Sequence, residues 1–240
     1  MASSPTPGTR QSQRDPTNTL LNPQCYLGKK RLERAIDVYK KTYLGGKNDT
    51  FTVHWSPFYL DPTAPKVGIP VTQRLAQKFG PGRTEAIHAR LRHMGQAENV
   101  NFTFSGLVGN TRDSHRLIQL AKTKGIETED RVVDSLMKSY FEEGGDITST
   151  DMLVAAGARG GLDADEARRW LDEGRGGDEV DDEVDDAYRQ GISGVPHFVI
   201  DDKWEVHGAS DVEVFVEQFA AAKEDSSSNG TRKSEPENTC

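Results

Sequence analysis

The sequence predicts an α/β fold that is interrupted by a helical insertion. Three observations support this: a helix and then a strand pattern early in the chain, helical periodicity through the middle, and a strand hairpin followed by a helix near the end. We expect residues 20–70 and 189–223 to form the α/β domain and residues 71–188 to form the insertion. Residues 1–19 and 224–240 are polar and are expected to be disordered tails.

The first unit of the α/β domain is a helix and a strand. From Gly28 onwards, apolar residues recur on one helical face, and Gly45-Gly46 is a typical helix end. Phe51, Val53 and Trp55 then alternate with polar residues, which is the period of a strand. We therefore predict a strand that ends at Pro57.

The middle of the chain carries apolar residues at helical spacing in a series of segments. These are Val71 to Phe79, Thr84 to Glu98, Thr111 to Lys124 and Glu129 to Glu142. Two further helices are predicted from capping signals, at Thr148 with Asp151 and at Asp163 with Glu166. The acidic run 178–186 keeps its valines at helical spacing and has no EF-hand glycine, so we predict a helix with a solvated acidic face.

The C-terminal part returns to strand character. Val195 to Ile200 is short, apolar and rich in β-branched or aromatic residues, and Asp201-Asp202-Lys203 is a turn signal. Trp204 to His207 is then predicted to be the returning strand. A last helix is expected from Asp211 onwards, with a buried stripe of Val212, Phe215, Val216 and Phe219.

The composition excludes several classes of function. The net charge of -8 argues against nucleic acid or an anionic membrane as a partner, because both require clustered Lys and Arg. No apolar run has the length of a signal peptide or a membrane span, so we expect a cytoplasmic protein. The six histidines show no metal-ligand spacing, and we predict no metal site.

The segment Asn22-Pro23-Gln24-Cys25 looks like a redox motif that lacks its first cysteine. In a C-x-x-C pair at a helix start, the first thiol becomes a thiolate that the second thiol resolves. Asn22 cannot form a disulfide, and the remaining cysteine is Cys240, at the far end of the polar tail. Cys25 is either a buried small apolar residue or a monothiol assisted by Lys29, Lys30 and Arg31.

Several segments together resemble the DsbA-like thioredoxin-fold oxidoreductases, and within them the FrnE-type proteins. The segments are Pro23-x-Cys25-Tyr26-Leu27-Gly28, Pro57-Phe58-x-Leu60-x-Pro62, Ser114-His115-Arg116-Leu117, Tyr140-Phe141-x-x-Gly144-x-Asp146-Ile147 and Gly194-Val195-Pro196-x-Phe198. The resemblance implies a thioredoxin-like fold with a helical insertion and a C-P-W-C type active site at the first helix. It also implies that Pro196 is a cis proline facing that site, and that the Val195 backbone binds a peptide or glutathione.

Two departures from the family pattern leave the function open. Asn22 stands where the family has its nucleophile, and residues 1–19 lack the alternation of the internal strand that precedes it in the family. A misread exon boundary would remove the strand and the first cysteine together, and an inactive paralogue, which should keep the strand, is the alternative. Three functions are therefore weighed: an impaired thiol-disulfide oxidoreductase, a kappa-type glutathione-dependent transferase or isomerase, and a silent binding module. A thiol or disulfide substrate is expected, with no cofactor unless glutathione serves as co-substrate.

Overall fold

The computed structural model describes residues 22–232, with side chains up to residue 226. The helices in this range are α1 (Pro23–Thr42), α2 (Val71–Phe79), α3 (Pro81–Ala97), α4 (Arg112–Lys122), α5 (Ile126–Phe141), α6 (Thr150–Arg159), α7 (Ala164–Asp172), α8 (Gly177–Arg189) and α9 (Val212–Arg232). The strands are β1 (Ile69–Pro70), β2 (Leu107–Val108), β3 (His197–Ile200) and β4 (Trp204–His207). Within 22–232, no helix combines the length and the apolar character needed to span a bilayer.

Helix α1 connects two hydrophobic cores. Its first turns contribute Cys25, Tyr26 and Leu27 to a core built mainly from the insertion helices α4 to α7. Its later turns contribute Leu32, Ala35 and Tyr39 to a second core with β4 and α9. Because one rigid helix belongs to both cores, the start of α1 is held where the insertion meets the α/β part.

The β3–β4 hairpin lies on this second core. Its antiparallel register places Phe198 opposite Val206, and these two side chains pack inward with Ile200. The ring of Phe198 meets that of Phe215 on α9 at 4.9 Å between centroids, in an edge arrangement. The hairpin and last helix predicted from the sequence are therefore confirmed in this part of the chain.

Polar contacts hold the insertion together as well as apolar ones. The buried guanidinium of Arg116 donates to the carbonyl oxygens of Trp170 and Leu171, in the last turn of α7, and of Arg175, just after it. On α8, Val180, Val184 and Ala187 are buried, as the helical spacing predicts. Its acidic face is only partly solvated, because the Arg112 guanidinium binds Asp181 through two hydrogen bonds and Lys122 binds Glu183.

The predicted strand at Phe51, Val53 and Trp55 is wrong. The described residues around this segment offer it no strand partner, and the Trp55 N–H instead donates to the Glu129 carboxylate at 2.7 Å. A strand requires a ladder of backbone hydrogen bonds, which alternation alone does not supply. The alternation reflects burial, since Phe51 and Val53 pack against the second core.

The helix limits bring two further corrections. The cap of α6 is Ser149 rather than Thr148, because the Ser149 hydroxyl accepts from the Met152 N–H while Thr148 binds Asp146. Helix α9 continues to Arg232, so 224–232 is helical and not the predicted tail. Its extension is anchored by the ion pair between Lys203 and Asp225. The predicted tail 1–19 and residues 233–240 lie outside the described part of the chain.

Candidate functional site

Asn22 is the N-cap of α1. Its backbone is extended, with φ -88° and ψ 112°, and its side-chain Oδ1 accepts a hydrogen bond from the Gln24 N–H at 3.0 Å. Pro23 follows at the first helical position, where the missing N–H costs nothing. Asn22 and Pro23 therefore fix the start of the helix, and the oxygen of the Asn22 side chain faces the backbone N–H groups of its first turn.

The same side chain connects α1 to the loop before β3. Asn22 Nδ2 donates to the carbonyl oxygen of Val195 at 3.0 Å, across 173 positions of sequence. The Val195-Pro196 peptide bond is cis, the isomer that the family resemblance implies. The structure thus joins Asn22, the N-cap of α1, to Val195 in the loop that contains Pro196, and Cys25 lies in the first turn of the same helix.

Gly28 permits this close approach. A Cβ atom at Gly28 would lie 3.0 Å from Pro196 Cγ and 3.0 Å from Phe198 Cζ, which is tighter than ordinary van der Waals contact. Any larger side chain at this position would push α1 away from the proline loop. The glycine is therefore needed for packing, since it lies inside a helix and has no special backbone conformation there.

Cys25 is a buried thiol. It is 3% exposed and belongs to the insertion core. Burial raises the pKa of the Cys25 thiol far above its ordinary range, so the sulfur stays protonated at neutral pH. A protonated thiol is a poor nucleophile, and the position near the helix start does not compensate for the loss of water.

The basic residues after Cys25 do not activate it. The ammonium group of Lys29 is buried and is bound by the carboxylates of Glu33, Asp130 and Asp134. Burial opposes the charge of Lys29, but these carboxylates outweigh it and raise its pKa. Arg31 pairs with Glu98 at 2.9 Å. Lys30 pairs with Glu33 and Asp134, so the charges of all three basic residues are committed to ion pairs and do not stabilise a Cys25 thiolate.

A cleft of about 490 Å³ opens beside Asn22. On one side lie Asn22, Pro23 and Gln24, and on the other lie α2 and α3. Its apolar lining comes from Val71, Leu75, Phe79, Ile87, Leu91 and Phe104. Its charged lining comes from Arg74, Lys78, Arg83, Arg90 and Asp61, of which Arg74 and Asp61 form an ion pair at 3.0 Å. An amphipathic cleft with several cations suits a ligand that carries both apolar and anionic groups.

Sequence reasoning missed a cluster next to the proline loop. His197, Glu205 and His207 offer donor atoms that all lie within 4.8 Å of one another on the β3–β4 hairpin. The prediction of no metal site rested on short spacings along the chain, whereas these residues meet across a hairpin. The predicted hairpin could have indicated the cluster, because a tight turn at Asp201-Asp202 places His197 opposite His207.

Comparisons with known proteins agree on the fold. A family model described as a DSBA-like thioredoxin domain matches residues 20–220. A probable DsbA oxidoreductase from Streptomyces coelicolor is similar at 30% identity with a TM-score of 0.74, over 85% of this chain and 87% of that one. A 2-hydroxychromene-2-carboxylate isomerase is similar in fold alone, at 13% identity and a TM-score of 0.58, over 90% of this chain and 96% of that one. A search of curated proteins found no match. The predicted thioredoxin-like α/β fold with a helical insertion is confirmed.

Proposed function

Since this chain belongs to the DSBA-like thioredoxin domain family, we propose that it is a DsbA-type oxidoreductase homologue in which dithiol exchange is lost and ligand binding is kept. We place it in the FrnE-type subgroup on the motifs around Cys25, Arg116, Asp146 and Pro196. The proposed ligand is a thiol or disulfide compound, either a peptide or a small molecule, bound on the surface that the start of α1 and the Val195-Pro196 loop form together.

One observation carries the loss of exchange: Asn22 occupies the nucleophile position and uses both ends of its amide. Its oxygen caps α1 and its nitrogen binds the Val195 carbonyl. Dithiol exchange requires one sulfur to attack the substrate disulfide, and a second sulfur to attack the mixed disulfide that results and release the substrate as a thiol. With Asn22 in place and Cys25 held as a buried thiol, neither step has its thiolate.

Insulin reduction with a dithiol donor tests the proposal. The compared chains are the parent, Asn22→Cys and Cys25→Ala, all carrying Cys240→Ser so that the tail thiol takes no part. We expect the parent to match Cys25→Ala, and Asn22→Cys to exceed both because it restores a C-x-x-C pair at the helix start. Activity of the parent above Cys25→Ala contradicts the proposal, and so does an inactive Asn22→Cys that remains folded.

The cleft supports a second candidate, a kappa-type glutathione-dependent transferase or isomerase. Glutathione has two carboxylates, and cations line the cleft next to Asn22. One N–H of the Asn22 amide binds Val195, and the second N–H would donate to a bound thiolate. Titration with glutathione, followed by NMR of labelled protein, should show binding that weakens in Arg83→Gln and Arg90→Gln. The matched control is Lys47→Gln, an exposed change away from the cleft. Equal affinity in all four proteins would eliminate this candidate.

A further inference from the structure

The outer face of the β3–β4 hairpin gathers three metal-binding side chains. In the antiparallel register His197 lies directly opposite His207, and Glu205 precedes His207 by two residues. Side chains two apart in a strand share a face, and so do directly opposed residues. Phe198, Ile200 and Val206 occupy the inner face, so His197, Glu205 and His207 all take the outer one.

One nitrogen of each imidazole and one oxygen of Glu205 lie within 4.8 Å of one another. The Nδ1 atoms of His197 and His207 are 3.0 Å apart, and Glu205 Oε2 lies 3.3 Å from His207 Nε2 and 4.0 Å from His197 Nε2. Two ligands at 2.0–2.1 Å from a tetrahedral Zn²⁺ ion are separated by about 3.3 Å. These distances involve different nitrogens of the two rings, so rotation of the exposed Glu205 and His207 side chains is needed to place one donor from each residue on one ion.

One of the three side chains is mostly buried and the other two are exposed. The His197 side chain is 11% exposed and is held by its surroundings, while those of Glu205 and His207 are 55% and 72% exposed. One ligand is thus preorganised, and two remain free to adjust at little cost in packing.

We propose that His197, Glu205 and His207 form a Zn²⁺ site with an open fourth position. Two imidazoles and one carboxylate are ligands that suit zinc, and three protein ligands leave a coordination position for water or for an incoming ligand. The site borders the groove that also contains Val195, Pro196 and Gly194. His197 directly follows the cis proline, so the ion would lie on the rim of the proposed binding site without replacing any of its residues.

Calorimetric titration of untagged, chelator-treated protein with Zn²⁺ tests the proposal. All chains carry Cys240→Ser, which removes the tail thiol as a ligand. We expect one equivalent bound, and a loss of at least about 10-fold in affinity in His207→Gln and in Glu205→Gln, since removal of even an outer-shell partner costs 10–100-fold. The matched control is His93→Gln, an exposed histidine on α3, which should leave the affinity unchanged.

Co²⁺ supplies a second readout that does not depend on the heat of binding. A tetrahedral site with two imidazoles should give visible Co²⁺ absorption that disappears in His207→Gln and persists in His93→Gln. Both ligand variants change exposed side chains, so loss of binding should occur with an unchanged thermal midpoint. Equal Zn²⁺ affinity in the parent and in both ligand variants overturns the proposal, as does a loss of affinity in His93→Gln as large as that in His207→Gln.

Discussion

Replacement of Asn22 by alanine removes two hydrogen bonds that structure different parts of the site. One is the helix cap, from the Gln24 N–H to Oδ1, and the other is the donation from Nδ2 to the Val195 carbonyl. Loss of an N-cap costs about 1 kcal/mol, and a half-buried hydrogen bond contributes about 1 kcal/mol. We therefore expect Asn22→Ala to lower the free energy of unfolding by about 2 kcal/mol, which in a chain of this size lowers the midpoint by about 4–8 °C.

Asn22→Asp separates the two contributions. Its carboxylate keeps an acceptor for the Gln24 N–H and gains about 0.5 kcal/mol from the positive helix end. It loses the donor to Val195 and places an oxygen against that carbonyl, so we expect a net loss of about 1 kcal/mol. The control is Asn48→Ala, an exposed change that should stay within about 0.5 kcal/mol of the parent.

Urea unfolding followed by circular dichroism supplies the comparison. The order expected is parent, then Asn22→Asp, then Asn22→Ala. If Asn22→Ala lies within about 0.5 kcal/mol of the parent, neither bond stabilises the protein, and the assigned role of Asn22 is refuted. If Asn22→Asp is as unstable as Asn22→Ala, the cap and the Val195 contact are not separate contributions.

Two further predictions concern buried charges. Lys29→Met should lower the free energy of unfolding by about 2 kcal/mol near pH 7. This is less than the loss expected on breaking a fully buried ion pair, because the three carboxylates that bind Lys29 are 41–46% exposed. Burial raises the pKa of Asp134, but Lys29 and Lys30 lower it by more. The ion pair of Lys29 with Asp134 therefore stabilises the fold fully above the unfolded aspartate pKa of about 4, and this stabilisation is lost as the pH falls below that value. Unfolding of parent and variant across pH should show their difference shrinking in acid, and a constant difference would contradict the assignment. Arg116→Ala should cost about 3 kcal/mol in urea unfolding, because it leaves three carbonyl groups without their charged donor. Arg168→Ala, at an exposed ion pair, should change little, and equal losses in the two variants would refute the role of Arg116.

The helices and the final hairpin were predictable because they depend on local periodicity and turn residues. The site was predictable in part, since the motif at Asn22 and Cys25 and the proline at Pro196 are visible in the sequence, whereas the hydrogen bond between Asn22 and Val195 is a tertiary contact. The ion pairs of Lys29 could not be predicted, because the carboxylates of α5 that bind it lie about a hundred positions away along the chain. The strand expected at Phe51 failed for a similar reason, since pairing needs a neighbour that the segment itself does not specify.

The chemical state of Cys25 decides whether the site holds a reactive thiolate. In a Cys240→Ser chain, the rate of Cys25 alkylation by iodoacetamide should be measured between pH 6 and pH 10, in the folded protein and in urea. Because burial raises the Cys25 pKa, we expect the folded rate to lie far below the unfolded rate at every pH and to show no inflection in this range. A folded rate that equals the unfolded rate, or an inflection below the pKa of an ordinary cysteine of about 8.5, would show an accessible thiolate and contradict the account.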